Sequence, residues 1–106
     1  MTDETGVVTV SAPPQTGEAL ARALVESRAA ACVQIIPGIL STYWWKGKIE
    51  TDKEVLLVIK TLKSKLADIE AVVKKNHPYE LPELIFLPAG GGLAGYLAWI
   101  KDSVAL

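Results

Sequence analysis

One short run brings together side chains that can coordinate a metal, titrate or donate hydrogen bonds: His77-Pro78-Tyr79-Glu80-Leu81-Pro82-Glu83. It contains the single histidine of the 106 residues, together with a phenol and two carboxylates. Because proline disfavours a helical conformation in the residue before it, the helix predicted to precede this run must end near Asn76. The run is therefore a stiff connector between a helix and a strand, and connectors often carry binding or catalytic side chains.

Three uses of this connector fit its residue types. Imidazole and carboxylate together suit copper, zinc or nickel, so His77 with Glu80 or Glu83 can form a partial metal site that a neighbouring subunit completes. An imidazole beside carboxylates can also act as a general acid or base. The third use is structural, with the two prolines securing the turn from helix to strand.

Composition predicts one globular domain over residues 1–106, with residues 1–6 as a loose N-terminal tail. Half of the residues are hydrophobic and 22% are charged, which is enough apolar material for a core. The 11 basic and 12 acidic residues give a net charge of −1, so no basic surface is expected for nucleic acid or an anionic membrane.

The hydrophobic runs, the N-terminus and the cysteine count indicate where the protein is located and whether it forms disulfides. The apolar runs are far shorter than the roughly 20 residues that span a bilayer, and the polar N-terminus lacks the regions of a signal peptide. A single cysteine, Cys32, gives no intrachain disulfide framework. These features predict a soluble, cytoplasmic protein.

Periodicity predicts the order β-α-β-β-α-β followed by one further helix. Strands are expected at 7–11, 32–36 with an extended continuation over 39–46, 54–60 and 83–87. Helices are expected from Thr16 through Ser27, with Ala29–Ala31 leading on to the second strand, and over 64–75 and 93–104. The run 54–60 has the pattern of a central strand buried on both faces. This order predicts an α+β fold of the ferredoxin-like type: a four-stranded antiparallel sheet with two helices on one face, plus an extra C-terminal helix.

Self-association is expected from the hairpin over 34–59. Trp44 and Trp45 are neighbours in a strand and therefore point to opposite faces of the sheet. In a two-layer fold, one of them must meet water or another subunit, and aromatic residues are enriched at interfaces. The alternative is that the C-terminal helix of the same chain covers the exposed tryptophan.

The residues outside the connector show no evident nucleophile–base pair, phosphate loop or structural metal site. Cys32 is flanked by alanine and valine, with no adjacent positive charge to activate its thiol. The run Gly90-Gly91-Gly92 lacks the Lys-Ser/Thr that a phosphate loop requires, and indicates a hinge. The chain also has too few Cys and His residues to close a structural metal site.

Five segments resemble those of the CutA divalent-cation-tolerance proteins. The run 28–38 is similar to their LAACVNIIPG segment, and 41–50 to S-x-Y-x-W-x-G-K-x-E. The run 54–61 matches E-x-x-L-x-I-K-T, 77–83 matches H-P-Y-x-x-P-E, and 96–99 matches Y-L-x-W. The resemblance covers residues 7–101, in order and with the expected gaps.

The resemblance implies a homotrimer of PII-like architecture with a role in tolerance of divalent cations, chiefly copper, and no required cofactor. It also implies a binding or signalling module rather than an enzyme. Clefts between subunits would hold a divalent metal ion or a small ligand. The residues expected to line such a cleft are Trp45, Lys60, His77, Tyr79 and Glu83. The alternative is a structural scaffold or small-ligand sensor with no direct metal role.

The metal assignment carries over only in part. Some members offer copper a cysteine in the first strand and two adjacent histidines before the proline. Here Ser11 stands at the first position, and the residue before His77 is Asn76. One of three ligands is retained, so the expected metal site is His77 with Glu80, and its affinity for copper should be weaker.

Overall fold

The computed structural model describes residues 3–105, which form one four-stranded antiparallel sheet in the order β2-β3-β1-β4 and three α-helices. The elements are β1 (Thr5–Ala12), α1 (Gly17–Glu26), β2 (Cys32–Trp45), β3 (Lys48–Leu62), α2 (Leu66–Asn76), β4 (Ile85–Pro88) and α3 (Ala94–Val104). A single 3₁₀ turn, Lys63–Lys65, joins β3 to α2. The predicted ferredoxin-like order and the additional C-terminal helix are both confirmed. Over the described residues, every helix is too short or too polar to traverse a lipid bilayer.

The core lies between the sheet and the pair α1 and α2. Alternate residues of β1 and β3 point towards the helices, so Val8 is opposite Ile59 and Val10 is opposite Leu57, and all four are fully buried. Each helix contributes its own apolar stripe, which supplies Leu20, Leu24, Ile69 and Val73. The apolar side chains that recur every 3.6 residues in the helices and every second residue in the strands therefore pack together in one core layer.

The opposite side of the sheet is only partly covered, which corrects the prediction that the central strand is buried on both faces. Leu57 and Ile59 are buried, whereas Leu56 and Val58 on the other side remain half-buried. Helix α3 packs at one end of this open face, where Ile100 contacts the cluster around Leu62. Apart from α3, the helices lie on the other face, so the described residues of the chain do not cover the rest of the open face.

Helix α1 ends at Glu26, so the three alanines that follow it are not helical. Arg28 adopts a left-handed conformation with φ of 65°, which stops a right-handed helix. The backbone of the alanine segment is used by β3 instead: Ala31 N–H donates to the carbonyl of Lys60, and the Thr61 hydroxyl donates to the carbonyl of Ala29.

The first and last strands also differ from their predicted bounds. Gly6 pairs with both Thr61 and Pro88, so the predicted tail over 1–6 loses its last two residues to β1. Asp3 accepts a hydrogen bond from the Ser64 N–H, while residues 1 and 2 lie outside the described residues. Strand β4 begins at Ile85 rather than at residue 83, because the connector continues that far.

Strands β2 and β3 form a hairpin that outreaches the sheet. Its turn, Lys46-Gly47, has positive φ at both residues, as the commonest two-residue hairpin turn requires. The predicted irregularity at Pro37-Gly38 is present as a register shift between Ile36 and Ile39. Strand β1 pairs with β3 only as far as Val55, so residues 39–54 project as a two-stranded ribbon, called here the hairpin arm.

Both tryptophans of the arm are exposed, Trp44 at 72% and Trp45 at 36%. The expectation that at least one of them meets water or another subunit is therefore confirmed for this single chain. The alternative, in which α3 covers the exposed tryptophan, is wrong, because α3 packs against the cluster around Leu62 at the other end of β3.

Candidate functional site

A groove lies where the connector after α2 passes the base of the hairpin arm. We call it the connector groove; its volume is about 820 Å³. The connector supplies one wall and the arm supplies the other, while the end of β1 closes the floor. The lining residues are Ser11, Ser41, Thr42, Tyr43, Trp45, Glu54, Pro78, Tyr79, Glu80, Leu81, Pro82 and Glu83.

His77 fixes the connector to β1 rather than pointing into the groove. It caps α2 in an extended conformation, as expected for a residue before proline, and the residue as a whole is only 8% exposed. Its Nε2 lies 2.8 Å from the carbonyl oxygen of Ser11, and its Nδ1 lies 3.2 Å from the Tyr79 backbone N–H. These partners require Nε2 to carry the hydrogen and Nδ1 to accept, so both ring nitrogens are occupied by backbone.

Tyr79 ties the connector to β3. Its hydroxyl donates a hydrogen bond of 2.8 Å to Oε2 of Glu54, a carboxylate that is only 3% exposed. Burial, and then the hydrogen bond to Glu54, raise the pKa of the Tyr79 phenol well above its ordinary value. The phenol therefore stays protonated and remains a donor at any physiological pH.

Polar pairs across the arm hold the second wall of the groove. The Tyr43 hydroxyl donates to Asp52, which raises the pKa of Tyr43 to about 12. The hydroxyls of Thr42 and Thr51 lie 3.2 Å apart on opposing strands. Such cross-strand pairs stabilise a two-stranded ribbon that has no neighbouring strand to support it.

The groove is acidic. In the described chain its lining includes Glu54, Glu80 and Glu83 but no lysine or arginine. The three ion pairs formed within the described part of the chain lie outside the groove, and their side chains are all exposed. Glu83 accepts a long hydrogen bond of 3.4 Å from the Ser11 hydroxyl. Negative charge at this site therefore lacks a cationic partner from the described part of the chain.

The carboxylates are not gathered into a metal cage. Within residues 3–105, no group of three or more His, Cys, Asp or Glu side chains is placed to hold a metal ion. The predicted pair of ligands, His77 and Glu80, is separated in role: Glu80 lines the groove and is exposed, whereas the imidazole behind it is bonded to backbone.

The structure brings together three of the five residues predicted for a ligand cleft. Trp45, Tyr79 and Glu83 line the groove, and His77 lies behind its floor. Lys60 does not line the groove. It lies six residues along β3 from Glu54, roughly 20 Å at the usual strand rise, and its Nζ donates a hydrogen bond to Gln34.

The residue that the sequence analysis missed is Glu54. The sequence pattern predicts it only as the polar start of an apolar strand. In the structure it is buried and accepts a hydrogen bond from the connector. A signal was available, because a carboxylate directly joined to the run Val55–Ile59 enters the sheet with it.

The sheet order, the pair of helices α1 and α2 on one face and the additional helix α3 define this chain as a ferredoxin-like α+β domain. Solved structures of the same architecture include CutA1 from Oryza sativa, with a TM-score of 0.91, 48% identity, and coverage of 96% of this chain and 94% of that one. Another is the PII-like protein CutA from Nostoc sp. PCC 7120 in apo form, with a TM-score of 0.88, 32% identity, and coverage of 95% and 98%. The fold is therefore PII-like.

The family is established by sequence. The family model described as CutA1 divalent ion tolerance protein matches residues 6–103. Protein CutA 1, chloroplastic, from Oryza sativa subsp. japonica is 49% identical over 98 residues, covering 92% of this chain and 55% of the relative. The divalent-cation tolerance protein CutA of Thermus thermophilus is 40% identical over 98 residues, covering 92% and 95%. This chain belongs to the CutA1 divalent ion tolerance family, and it spans about half the length of its plant and vertebrate relatives.

Proposed function

We propose that this chain is a homotrimeric binding module for divalent-cation tolerance, and that its ligand occupies the connector groove at a cleft between subunits. The observation that carries this proposal is the groove itself, with three carboxylates and three aromatic side chains, Tyr43, Trp45 and Tyr79, around a space of about 820 Å³. A volume of this size is typical of small-ligand sites. One wall belongs to an arm that extends past the sheet, so a second copy can reach the same opening.

Exposed apolar side chains support assembly. Trp44 and Ile49 lie on the arm, and Ile85 and Leu87 lie on β4, all more than half exposed. Strands β2 and β4 are the two edges of the sheet, and each edge offers unpaired backbone groups. A contact that joins the arm of one copy to the β4 side of the next is head-to-tail, and such contacts form a ring when the rotation between copies closes and a filament when it does not. We therefore favour a cyclic trimer over a two-fold dimer.

Binding is favoured over catalysis by the state of His77. Acid–base catalysis needs a ring nitrogen that can reach a substrate, and here one nitrogen donates to Ser11 while the other accepts from Tyr79. The name of the family also describes tolerance rather than a reaction. The structural role considered for the connector is compatible with this geometry, because the same bonds secure the turn.

Direct copper binding by His77 and Glu80 stays a prediction. A metal at this imidazole requires a free ring nitrogen, so the hydrogen bond to Ser11 or to Tyr79 must break first. The cytoplasmic location also stays a prediction, since the plant relatives are named chloroplastic. The second candidate, favoured by the occupied ring, is a groove that binds a small ligand without a metal.

Two measurements on one preparation test the proposal. Light scattering should give three times the 11.4 kDa mass of the chain at micromolar concentration, and a monomer would overturn the assembly. Calorimetric titration with copper(II) should then be compared among the wild type, His77→Ala and Glu80→Gln. Saturable binding near one ion per subunit that both substitutions remove supports direct metal handling. Identical copper heats in all three proteins would remove both residues from the metal assignment.

A further inference from the structure

We propose that the connector groove selects a small organic cation, an ammonium, amidinium or guanidinium group on an apolar body, in preference to a bare metal ion. This inference deepens the proposed function and rests on it, because it specifies the ligand class of the same groove. It follows from the charge of the groove, from the chemistry of its walls and from the spacing of its carboxylates.

The charge argument centres on Glu54. This carboxylate is almost fully buried, yet the described residues provide it with one hydrogen bond, from the Tyr79 hydroxyl to Oε2. No described residue donates to Oε1, and no buried side-chain oxygen without a partner occurs in the described residues, so Oε1 keeps an opening to the groove. A carboxylate with so little contact with water is less stable as a charged group when no cation lies beside it. A ligand cation at Oε1 would supply the missing partner.

The walls favour a cation that carries an apolar body. Trp45 and Tyr79 present aromatic surface, and Leu81 and Pro82 add aliphatic surface beside them. Aromatic faces attract cations, and tryptophan does so most strongly. The chain already shows this tendency, since Lys46 Nζ lies 5.6 Å from the centre of the Trp45 ring.

The spacing argues against a bare metal ion as the preferred ligand. Zinc, copper and calcium need several ligand atoms within about 2.0–2.6 Å of one point. The described residues provide no such group of three, and the groove's carboxylates surround a space of about 820 Å³ instead. An organic cation spreads its charge over several N–H groups and can meet separate carboxylates at once.

An anionic ligand is disfavoured by the same walls. A phosphate or carboxylate would enter a lining that contains Glu54, Glu80 and Glu83, without lysine or arginine among the described lining residues. Like charges at this range raise the free energy of binding. We therefore expect this groove to discriminate between ligands by their charge, which a purely apolar groove would not do.

Three probes of nearly equal size and shape test the inference: benzamidine, benzamide and benzoate, which are cationic, neutral and anionic. We expect calorimetry on the assembled protein to show saturable binding of benzamidine, at least about tenfold weaker binding of benzamide, and no binding of benzoate. Binding of benzamidine should weaken with added salt, because part of it is electrostatic. Equal affinity for benzamidine and benzamide, or no binding of benzamidine, would overturn the inference.

Matched variants place the binding in the groove. Glu54→Gln keeps an acceptor for Tyr79 and removes the charge, so it should weaken benzamidine by about tenfold or more. Glu83→Gln is the second variant and should also weaken the binding of benzamidine. It keeps the test available if Glu54→Gln folds poorly. The control is Glu18→Gln, an exposed carboxylate on α1 outside the groove. Unchanged affinity in both groove variants would overturn the inference.

Failure of this inference can be told apart from failure of the proposed function. Light scattering on the same samples reports the trimer independently of any ligand. A trimer that binds no benzamidine overturns the organic-cation inference and leaves the assembly intact. A monomer overturns the assembly, and the benzamidine titration still decides the ligand class.

Discussion

The hydrogen bond between Tyr79 and Glu54 should be one of the strongest single ties between the connector and the sheet. Tyr79→Phe removes the hydroxyl with little change of shape and leaves a carboxylate that is 3% exposed without its donor. Hydrogen bonds to charged groups contribute about 1.5–3 kcal/mol. Tyr79 itself is 36% exposed, so water can replace part of the loss. We therefore expect the free energy of unfolding to fall by about 1–2 kcal/mol.

The assay is chemical denaturation followed by circular dichroism at one fixed protein concentration, because unfolding of an oligomer depends on concentration. Tyr96→Phe is the matched control: Tyr96 is exposed, stacks on Trp99, and makes no side-chain hydrogen bond within the described residues. Its effect should stay within about 0.5 kcal/mol. In the Glu54→Gln background, Tyr79→Phe should cost less, since a neutral acceptor is bound more weakly. Equal midpoints for Tyr79→Phe and Tyr96→Phe would refute the reasoning.

Three further outcomes are expected. His77→Ala leaves the Ser11 carbonyl without its donor and should lower the free energy of unfolding by about 1–3 kcal/mol in the same assay; a change below about 0.5 kcal/mol would mean that the ring is not a tie. Gly6→Ala would place a Cβ 2.5 Å from the Leu87 carbonyl oxygen, so the melting temperature should fall further than it does in His77→Ala. An unchanged melting temperature would contradict the clash. The pKa of Tyr79 is raised above its ordinary 10.0, so its stabilisation is complete below pH 10 and declines as pH rises further. Phenolate absorbance should show this phenol titrating late, and earlier in Glu54→Gln; identical curves would contradict the contribution of that hydrogen bond.

The order of elements was predictable because each signal is local. The turn at Lys46-Gly47 and the apolar run at 55–59 carry their own conformational preferences, and the structure follows both. The end of α1 was not predictable from local preference, since alanine is the strongest helix former. Ala29 and Ala31 leave the helix because β3 takes up their backbone groups, and no pattern along the chain announces that contact.

The candidate site was predictable in its location more than in its details. Tyr79 and Glu83, which the resemblance placed in a cleft, line the groove in the single chain. The role of His77 depends on Ser11, a partner 66 residues earlier, so the imidazole could not be assigned to backbone from its neighbours. Lys60 was placed in the cleft by analogy with an assembled trimer, and in the single chain it lies well along β3 from the groove.

The pairing of β1 with β4 has a consequence for synthesis of the chain. Strand β1 is made first, yet its partners β3 and β4 begin only at residues 48 and 85. The hairpin of β2 and β3 joins neighbouring segments and can form as soon as it leaves the ribosome, whereas β1 waits with both edges unpaired. An unpaired strand is a template for contact with other chains. On a polysome, nascent copies are therefore most exposed to mispairing between residues 12 and 62, before β3 is complete, and one edge of β1 stays unpaired until β4 is made. Slow translation over the first interval would lengthen that exposure.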